Sequence, residues 1–111
     1  MSSITMNLYY TGKNGSALQF AKEMTESGTV AAIRAEDGNL KYDYFVSMED
    51  PETVLLIDSW KDQASIDVHH ASPMMTTIMQ LREKYDLHMR AERYSSQDEA
   101  MSAADTAFIR N

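Results

Sequence analysis

The chain of 111 residues contains no cysteine, two prolines and four glycines. Without cysteine it has no disulfide, no thiolate nucleophile and no cysteine-ligated metal centre. Its longest apolar runs fall well short of the roughly 18 residues that a membrane-spanning helix needs. The N-terminus also lacks the basic and then apolar pattern of a secretory signal, so we expect a cytoplasmic protein.

Basic residues are also scarce, because 10 Lys and Arg stand against 17 Asp and Glu and give a net charge of −7. Binding to phosphate groups requires clustered basic side chains, so we expect neither nucleic acid nor a membrane surface as a partner. Apolar residues make up 43% of the chain, which is typical of a folded globular protein. The length allows one small domain.

Four segments rich in β-branched and aromatic residues predict strands. Periodic apolar stripes predict a helix that begins at Ser16, a short helical piece from Thr29, and two helices in the second half. The predicted order is β-α-β-β-α-β, the α+β ferredoxin-like arrangement of a four-stranded antiparallel sheet with helices on one face. The predicted strands cover 4–10, 40–47, 53–60 and 87–94, and the two later helices cover 63–71 and 73–85.

Two details of the strand and turn pattern are specific enough to be checked. Alternation along the second strand predicts that Leu40, Tyr42, Tyr44 and Val46 share one face of the sheet. Before that strand, the turn Asp37-Gly38-Asn39 predicts a left-handed backbone at the glycine.

Large apolar residues occur on both faces of several predicted strands, whereas one layer of helices covers only one face. We therefore expect a second copy of the chain to cover the other face, which makes the protein a homodimer. The predicted domain covers residues 1–95. Residues 96–111 form a C-terminal tail that we expect to dock on the sheet or on the second subunit, with Ser96 capping a short helix.

Two separated segments resemble the antibiotic biosynthesis monooxygenase domain family. The first is the third strand with the helix that follows it, residues 56–73, LIDSWKDQASIDVHHASP. Its matching positions are Trp60, Ala64, Asp67, His69, Ser72 and Pro73. The second is residues 34–42, RAEDGNLKY. The resemblance implies a dimeric α+β barrel whose relatives include oxygenases that act on quinols or other electron-rich phenols without a cofactor, so it implies O₂ as co-substrate and no cofactor here.

Oxygenation of this type needs a base that deprotonates a phenol, together with an apolar pocket that holds the anion. His69 is the candidate base, since an imidazole titrates near neutral pH. Asn7 on the first strand is the second candidate catalytic residue, because a buried amide must find partners. The three histidines are scattered and do not indicate a metal site.

Four further residues are candidates for substrate binding: Trp60, Tyr42, Tyr44 and Arg34. The aromatic side chains would stack on an aromatic ligand or hold its oxygen, and Arg34 resembles a family position at the mouth of the site. Each candidate also has a structural interpretation, namely core packing, cross-strand packing or a salt bridge of Arg34 to Glu36 or Asp37. Two other functions stay open, a dimeric module that binds a small molecule or serves a stress response without catalysis, and an isomerase or lyase of a small carbonyl metabolite.

Overall fold

A computed structural model describes residues 2–97 and 99–110. The predicted domain begins at residue 1 and the predicted tail ends at residue 111, and both of these residues lie outside the described ranges. The strands and helices follow the predicted β-α-β-β-α-β order. In chain order they are β1 (Ser2–Thr11), α1 (Ser16–Glu26), α2 (Thr29–Arg34), β2 (Asn39–Val46), β3 (Thr53–Trp60), α3 (Gln63–His70), α4 (Pro73–Lys84), β4 (His88–Gln97) and α5 (Ala103–Thr106). The predicted fold class is therefore confirmed, with α5 as an addition in the tail.

The four strands form one antiparallel sheet in the order β2-β3-β1-β4. The two central strands, β1 and β3, are apolar on both faces near their middles, as expected for strands with a neighbour on each side. Side chains alternate along β3, so that Val54, Leu56, Asp58 and Trp60 are buried while the residues between them are only partly buried. The buried set faces the helices.

The helices cover one face of the sheet and form the core with it. The predicted stripe on α1 is confirmed, because Ala17, Phe20, Ala21 and Met24 are its buried residues. Phe20 contacts Tyr10 of β1, with ring centroids 5.0 Å apart. The other large buried residues of this core include Ile33 of α2, Leu56 and Trp60 of β3, and Ile78 and Leu81 of α4.

The structure differs from the expectations in the second strand and in the turn before it. A register shift between Asn39 and Lys41 breaks the alternation, so Leu40 is 59% exposed instead of sharing the buried face of Tyr42. Val46, at the end of β2, is also exposed. Gly38 is not left-handed, since the glycines with positive φ are Gly15 and Gly28; the reason for a glycine at position 38 is a close contact described below.

The predicted helix capped by Ser96 is also wrong. Ser96 pairs with Ser3 in the ladder between β4 and β1, so β4 continues to Gln97 and its residues are held in extended backbone. The helix of the tail is the single turn of α5, which is capped by the Ser102 side chain. Every described residue from 99 to 110 is exposed, including Phe108 at 90%.

The second face of the sheet carries no helix. Tyr9, Phe45 and Leu55 lie on it, and the Arg90 guanidinium sits 3.8 Å above the centre of the Tyr9 ring. Together with the ends of β2 and β4 they border an open groove of about 620 Å³. Within the described residues, no helix combines the length and apolar character required to cross a bilayer.

Candidate functional site

A cavity of about 280 Å³ lies between the helix-covered face of the sheet and helices α3 and α4. Most of its wall is apolar, and all four strands contribute to it together with the two helices. The apolar wall residues include Met6, Leu8, Leu56, Ile66, Met75 and Ile78. Small-molecule sites typically combine such walls with a few polar groups. This cavity carries two sets of them, described below, besides His70 and the pair in which Arg93 donates to Gln63 at 2.7 Å.

His69 belongs to the first set. It lies in the last turn of α3, is 5% exposed and lines the cavity. Its Nδ1 is 2.8 Å from a carboxylate oxygen of Glu36, whose side chain is also nearly buried. A carboxylate only accepts hydrogen bonds, so in this contact Nδ1 is the donor. The hydrogen bond therefore selects the tautomer in which a neutral ring would carry its lone pair on Nε2, which is the tautomer that a general base at Nε2 requires.

The contact between Glu36 and His69 depends on Gly38. A Cβ atom on Gly38 would lie 1.9 Å from the Ser65 hydroxyl oxygen, so only glycine lets this loop pack against the first turn of α3. Asp62 caps that turn and accepts hydrogen bonds from the Ser65 amide and hydroxyl. The close packing holds the loop that carries Glu36 beside α3.

Trp60 and Asp58 complete the first set. The Trp60 ring stacks at a tilt on the His69 ring, with centroids 4.6 Å apart, and its Nε1 donates to Asp58 Oδ2 at 3.0 Å. Asp58 is 6% exposed, and its other oxygen, Oδ1, is buried without a hydrogen-bond partner. Burial raises the pKa of the Asp58 carboxyl, while the Trp60 N–H and the nearby His69 oppose that rise.

The second set consists of Tyr10 and Arg82. A terminal nitrogen of Arg82 donates to the Tyr10 hydroxyl at 2.9 Å, and the guanidinium sits 5.4 Å from the centre of the Tyr10 ring. Burial raises the pKa of Tyr10 despite the arginine, so this phenol is neutral. The Nε of Arg82 is buried and has no hydrogen-bond partner.

Three of the six predicted site residues meet at this cavity, namely His69, Trp60 and Tyr42. The Tyr42 ring stands edge-on to that of Tyr44, 5.8 Å between centroids, which confirms that the two share a face. Burial holds the pKa of Tyr42 well above its ordinary value. Tyr44 itself packs against Phe20 and lines a shallow depression beside α1, not the cavity.

The structure separates Asn7 and Arg34 from this cavity. Asn7 pairs with Ile57 and Glu92 and lies on the helix-free face, because it alternates with Met6 and Leu8, which face the helices. Arg34 donates to the Tyr42 carbonyl at 2.7 and 3.1 Å and forms its salt bridge with Asp43, not with Glu36 or Asp37.

Sequence reasoning did not select Asp58, Arg82 or Glu36. Asp58 had a readable signal, because it is a carboxylate at a buried position of the alternating strand β3. Arg82 had a weaker one, since it follows Ile78 by four residues on a helix face. Glu36 had no signal in the sequence that pointed to the site.

No group of three or more His, Asp or Glu side chains in a metal-binding arrangement occurs among residues 2–97 and 99–110.

Fold and cavity together define a class, a ferredoxin-like α+β domain with a small-molecule cavity between its sheet and its helices. The family model described as antibiotic biosynthesis monooxygenase matches residues 3–81, and the chain belongs to that family.

Individual relatives are more distant. The chain is 38% identical over 37 residues to "Putative monooxygenase YcnE" of Bacillus subtilis, a match that covers 33% of this chain and 39% of that relative. Its fold is similar to a crystal structure from Deinococcus radiodurans described as a "putative antibiotic biosynthesis monooxygenase", with a TM-score of 0.74, 18% identity and 89% and 96% of the two chains covered. It is also similar to SnoaB, described as a cofactor-independent oxygenase from Streptomyces nogalater, with a TM-score of 0.73, 12% identity and 89% and 97% covered.

Proposed function

We propose that this protein is a cofactor-independent monooxygenase of quinol-like or other phenolic small molecules, and that the cavity beside α3 and α4 is its active site. The observation that carries the proposal is His69, a buried imidazole whose tautomer is fixed by Glu36 and whose ring lies against Trp60 on the wall of an apolar cavity. Trp60 and Tyr42 form the wall next to it, so an aromatic substrate would lie against their rings.

The proposed reaction requires only a base and an apolar pocket from the protein. His69 Nε2 takes a proton from a substrate hydroxyl, and the resulting phenolate gives an electron to O₂ far more readily than the phenol does. The apolar wall excludes water from the radical pair. One oxygen atom then enters the ring and the other leaves as water, so that a hydroquinone and O₂ yield a hydroxyquinone and water, with all electrons supplied by the substrate.

The test is O₂ consumption by the purified protein with a panel of hydroquinones, without added metal or flavin, corrected for autoxidation. We expect turnover that depends on His69. Absence of turnover with every member of the panel, or unchanged turnover in His69→Ala, would refute the proposal. Proton exchange in a small carbonyl compound without O₂ consumption would favour the isomerase or lyase alternative instead.

We also propose that the protein acts as a homodimer joined through the helix-free face. Tyr9, Phe45 and Leu55 present apolar surface there, and Phe45 is 44% exposed. A second copy would bury this surface in the same way on both subunits, as a two-fold interface requires. We also propose that the C-terminal tail packs on the second subunit. Phe108 and Ile109 are exposed on this chain, and the second subunit would provide a surface that buries them.

The dimer is tested by sedimentation at a series of concentrations. We expect Phe45→Asp to raise the dimer dissociation constant by at least about tenfold, because it places a charge in a buried apolar surface. Val68→Asp is the matched control, since it also replaces an exposed apolar residue with aspartate, but on helix α3 at the other side of the sheet. Truncation after residue 97 tests the tail, and an unchanged dissociation constant would contradict its docking.

A further inference from the structure

The carboxyl of Asp58 is buried, and contacts within the protein account for only one of its two oxygen atoms. Its Oδ2 accepts from Trp60 Nε1, but Oδ1 has no partner although it is buried. Buried polar atoms in folded proteins are nearly always paired, so one that is left open on the wall of a cavity indicates a missing partner. Asp58 lines the same cavity as His69.

The protonation state of Asp58 follows from its surroundings. Burial of one unpaired oxygen beside Leu56 and Met6 costs an ionised carboxylate more free energy than it costs a neutral carboxylic acid. The raised pKa of this carboxyl agrees with that argument. A neutral acid with Oδ2 engaged by Trp60 has an O–H on Oδ1 that needs an acceptor.

Arg82 presents a second open donor in the same cavity. Its Nε is buried without a partner, while its terminal nitrogen holds the Tyr10 hydroxyl. Tyr10 is paired with Val54, four residues from Asp58 along β3, which corresponds to about 13 Å of strand. The backbone positions of Asp58 and of Tyr10, whose hydroxyl holds Arg82, are thus offset along the sheet, and Leu8 and Leu56 line the same cavity.

We propose that Asp58 is a substrate-binding residue that acts as a neutral carboxylic acid, and that with Arg82 it selects an aromatic ligand bearing a hydrogen-bond-accepting oxygen at each end, as a para-quinone does. The inference rests on the proposed function, because it assumes that the cavity beside His69 is the ligand site. It adds that the site recognises acceptor oxygens, so that a quinone binds without any hydroxyl of its own.

Asparagine at position 58 imitates the neutral acid, because its carbonyl accepts from Trp60 and its amide donates as the protonated Oδ1 would. Leucine has a similar volume and no donor. The probe is 1,4-naphthoquinone, which has two carbonyl oxygens and no hydroxyl. Trp60 is the single tryptophan of the chain, so quenching of its fluorescence reports binding in the cavity directly.

We expect Asp58→Asn to bind the quinone within about twofold of the unaltered protein, and Asp58→Leu to bind it about tenfold more weakly. Naphthalene, which has no oxygen, should bind all three proteins alike. Equal loss of quinone affinity in both variants, or no quinone binding by the unaltered protein, would overturn the inference.

The pH dependence gives a second measurement that does not require the leucine variant to fold. Quinone affinity of the unaltered protein should fall as the pH rises through the Asp58 titration, whereas Asp58→Asn should lack this fall. Other charged or titratable groups lie around the carboxyl on the neighbouring elements: Tyr10, Tyr42, Tyr44, His69, His70, Arg82 and Arg93. All of them are retained in Asp58→Asn, so a pH dependence shared by both proteins belongs to them and would contradict the role of Asp58.

Binding needs no turnover, which separates this inference from the proposed function. The expected quinone binding without O₂ consumption would refute the oxygenase and leave Asp58 as a donor. Turnover of hydroquinones with unchanged quinone affinity in Asp58→Leu would support the oxygenase and refute the role of Asp58 as a donor.

Discussion

The two faces of the sheet differ in how their polar side chains are paired and in what covers their apolar side chains. On the helix-free face the polar side chains pair across the strands, as Thr5 does with Ser59 at 2.8 Å and Thr11 with Thr53 at 3.1 Å. On the helix-covered face Tyr44, Asp58 and Arg82 each leave one buried polar atom without a hydrogen-bond partner. The free face thus has paired hydroxyls beside apolar surface that no helix covers, whereas the covered face has apolar cover and buried polar atoms that lack partners.

That difference indicates what each face is prepared for. An apolar surface without helices is complemented by another protein surface, and Tyr9 and Phe45 provide such a surface. A mostly apolar cavity whose wall carries buried polar atoms without partners is complemented by a small molecule that carries polar atoms of its own. The proposed catalysis thus uses the covered face and the proposed dimer uses the free face. Each of the following experiments compares a residue of one face or layer with a matched residue elsewhere.

The largest effect is expected for His69→Ala. Loss of a positioned general base lowers kcat by about 10²- to 10⁴-fold, measured as O₂ consumption at saturating hydroquinone. His88→Ala is the control, because His88 is exposed at the start of β4 and lies by the free-face groove; it should change kcat little. A loss of turnover in Asn7→Ala as large as that in His69→Ala would move the site to the free face.

Adjacent leucines of β3 compare the contributions of the two faces to stability. Leu56 is 1% exposed among the helices, so Leu56→Ala should lower the free energy of unfolding in urea by about 2–5 kcal/mol. Leu55 lies on the free face and is only partly buried, so Leu55→Ala should cost less at low protein concentration. Equal losses in dilute solution would show that the free face is buried within a single subunit.

A pair of aspartates compares a buried and an exposed carboxyl through their effect on stability as pH changes. The pKa of Asp58 is raised by burial, so its folded state binds more protons than the unfolded state, and stability falls as pH rises from the ordinary carboxyl pKa through the raised value. The Ser65 hydroxyl and amide lower the pKa of Asp62. The stability contributed by Asp62 is therefore present above its ordinary pKa and is lost as pH falls through the lowered one.

We expect Asp58→Asn to gain stability relative to the unaltered protein as pH rises through this range, and Asp62→Asn to lose stability relative to it. Urea unfolding at a series of pH values measures both differences. The same sign in both variants would mean that burial does not control the titration of Asp58.

Much of the fold could be predicted because local patterns specify it. The stripe of α1 follows from a helical period in the sequence, and the shared face of Tyr42 and Tyr44 follows from the alternation within β2. Alternation alone does not say which face the helices cover, however. That is why Asn7 was predicted to be a catalytic residue, although it lies on the face of β1 that points away from the cavity.

The hydrogen bonds of the site were the least predictable part. Glu36 is 33 residues from His69 along the chain, and their contact depends on the packing of Gly38 against Ser65, which no local pattern encodes. Arg82 reaches Tyr10 over 72 residues. Only Asp58 could have been found, as a charged residue at a position where the strand pattern requires an apolar one.

The smallest expected effect concerns the rim of the covered layer, where Arg34 ties α2 to β2. Its guanidinium is half exposed and donates to both the Tyr42 carbonyl and Asp43. Because solvent screens such pairs, Arg34→Ala should lower the free energy of unfolding by only about 1 kcal/mol. Lys61→Ala, which removes a single exposed pair with Asp37, should cost less than about 0.5 kcal/mol. A larger loss for Lys61 than for Arg34 would mean that the backbone carbonyl contact of Arg34 does not stabilise this rim, and that the covered layer is held by its buried side chains alone.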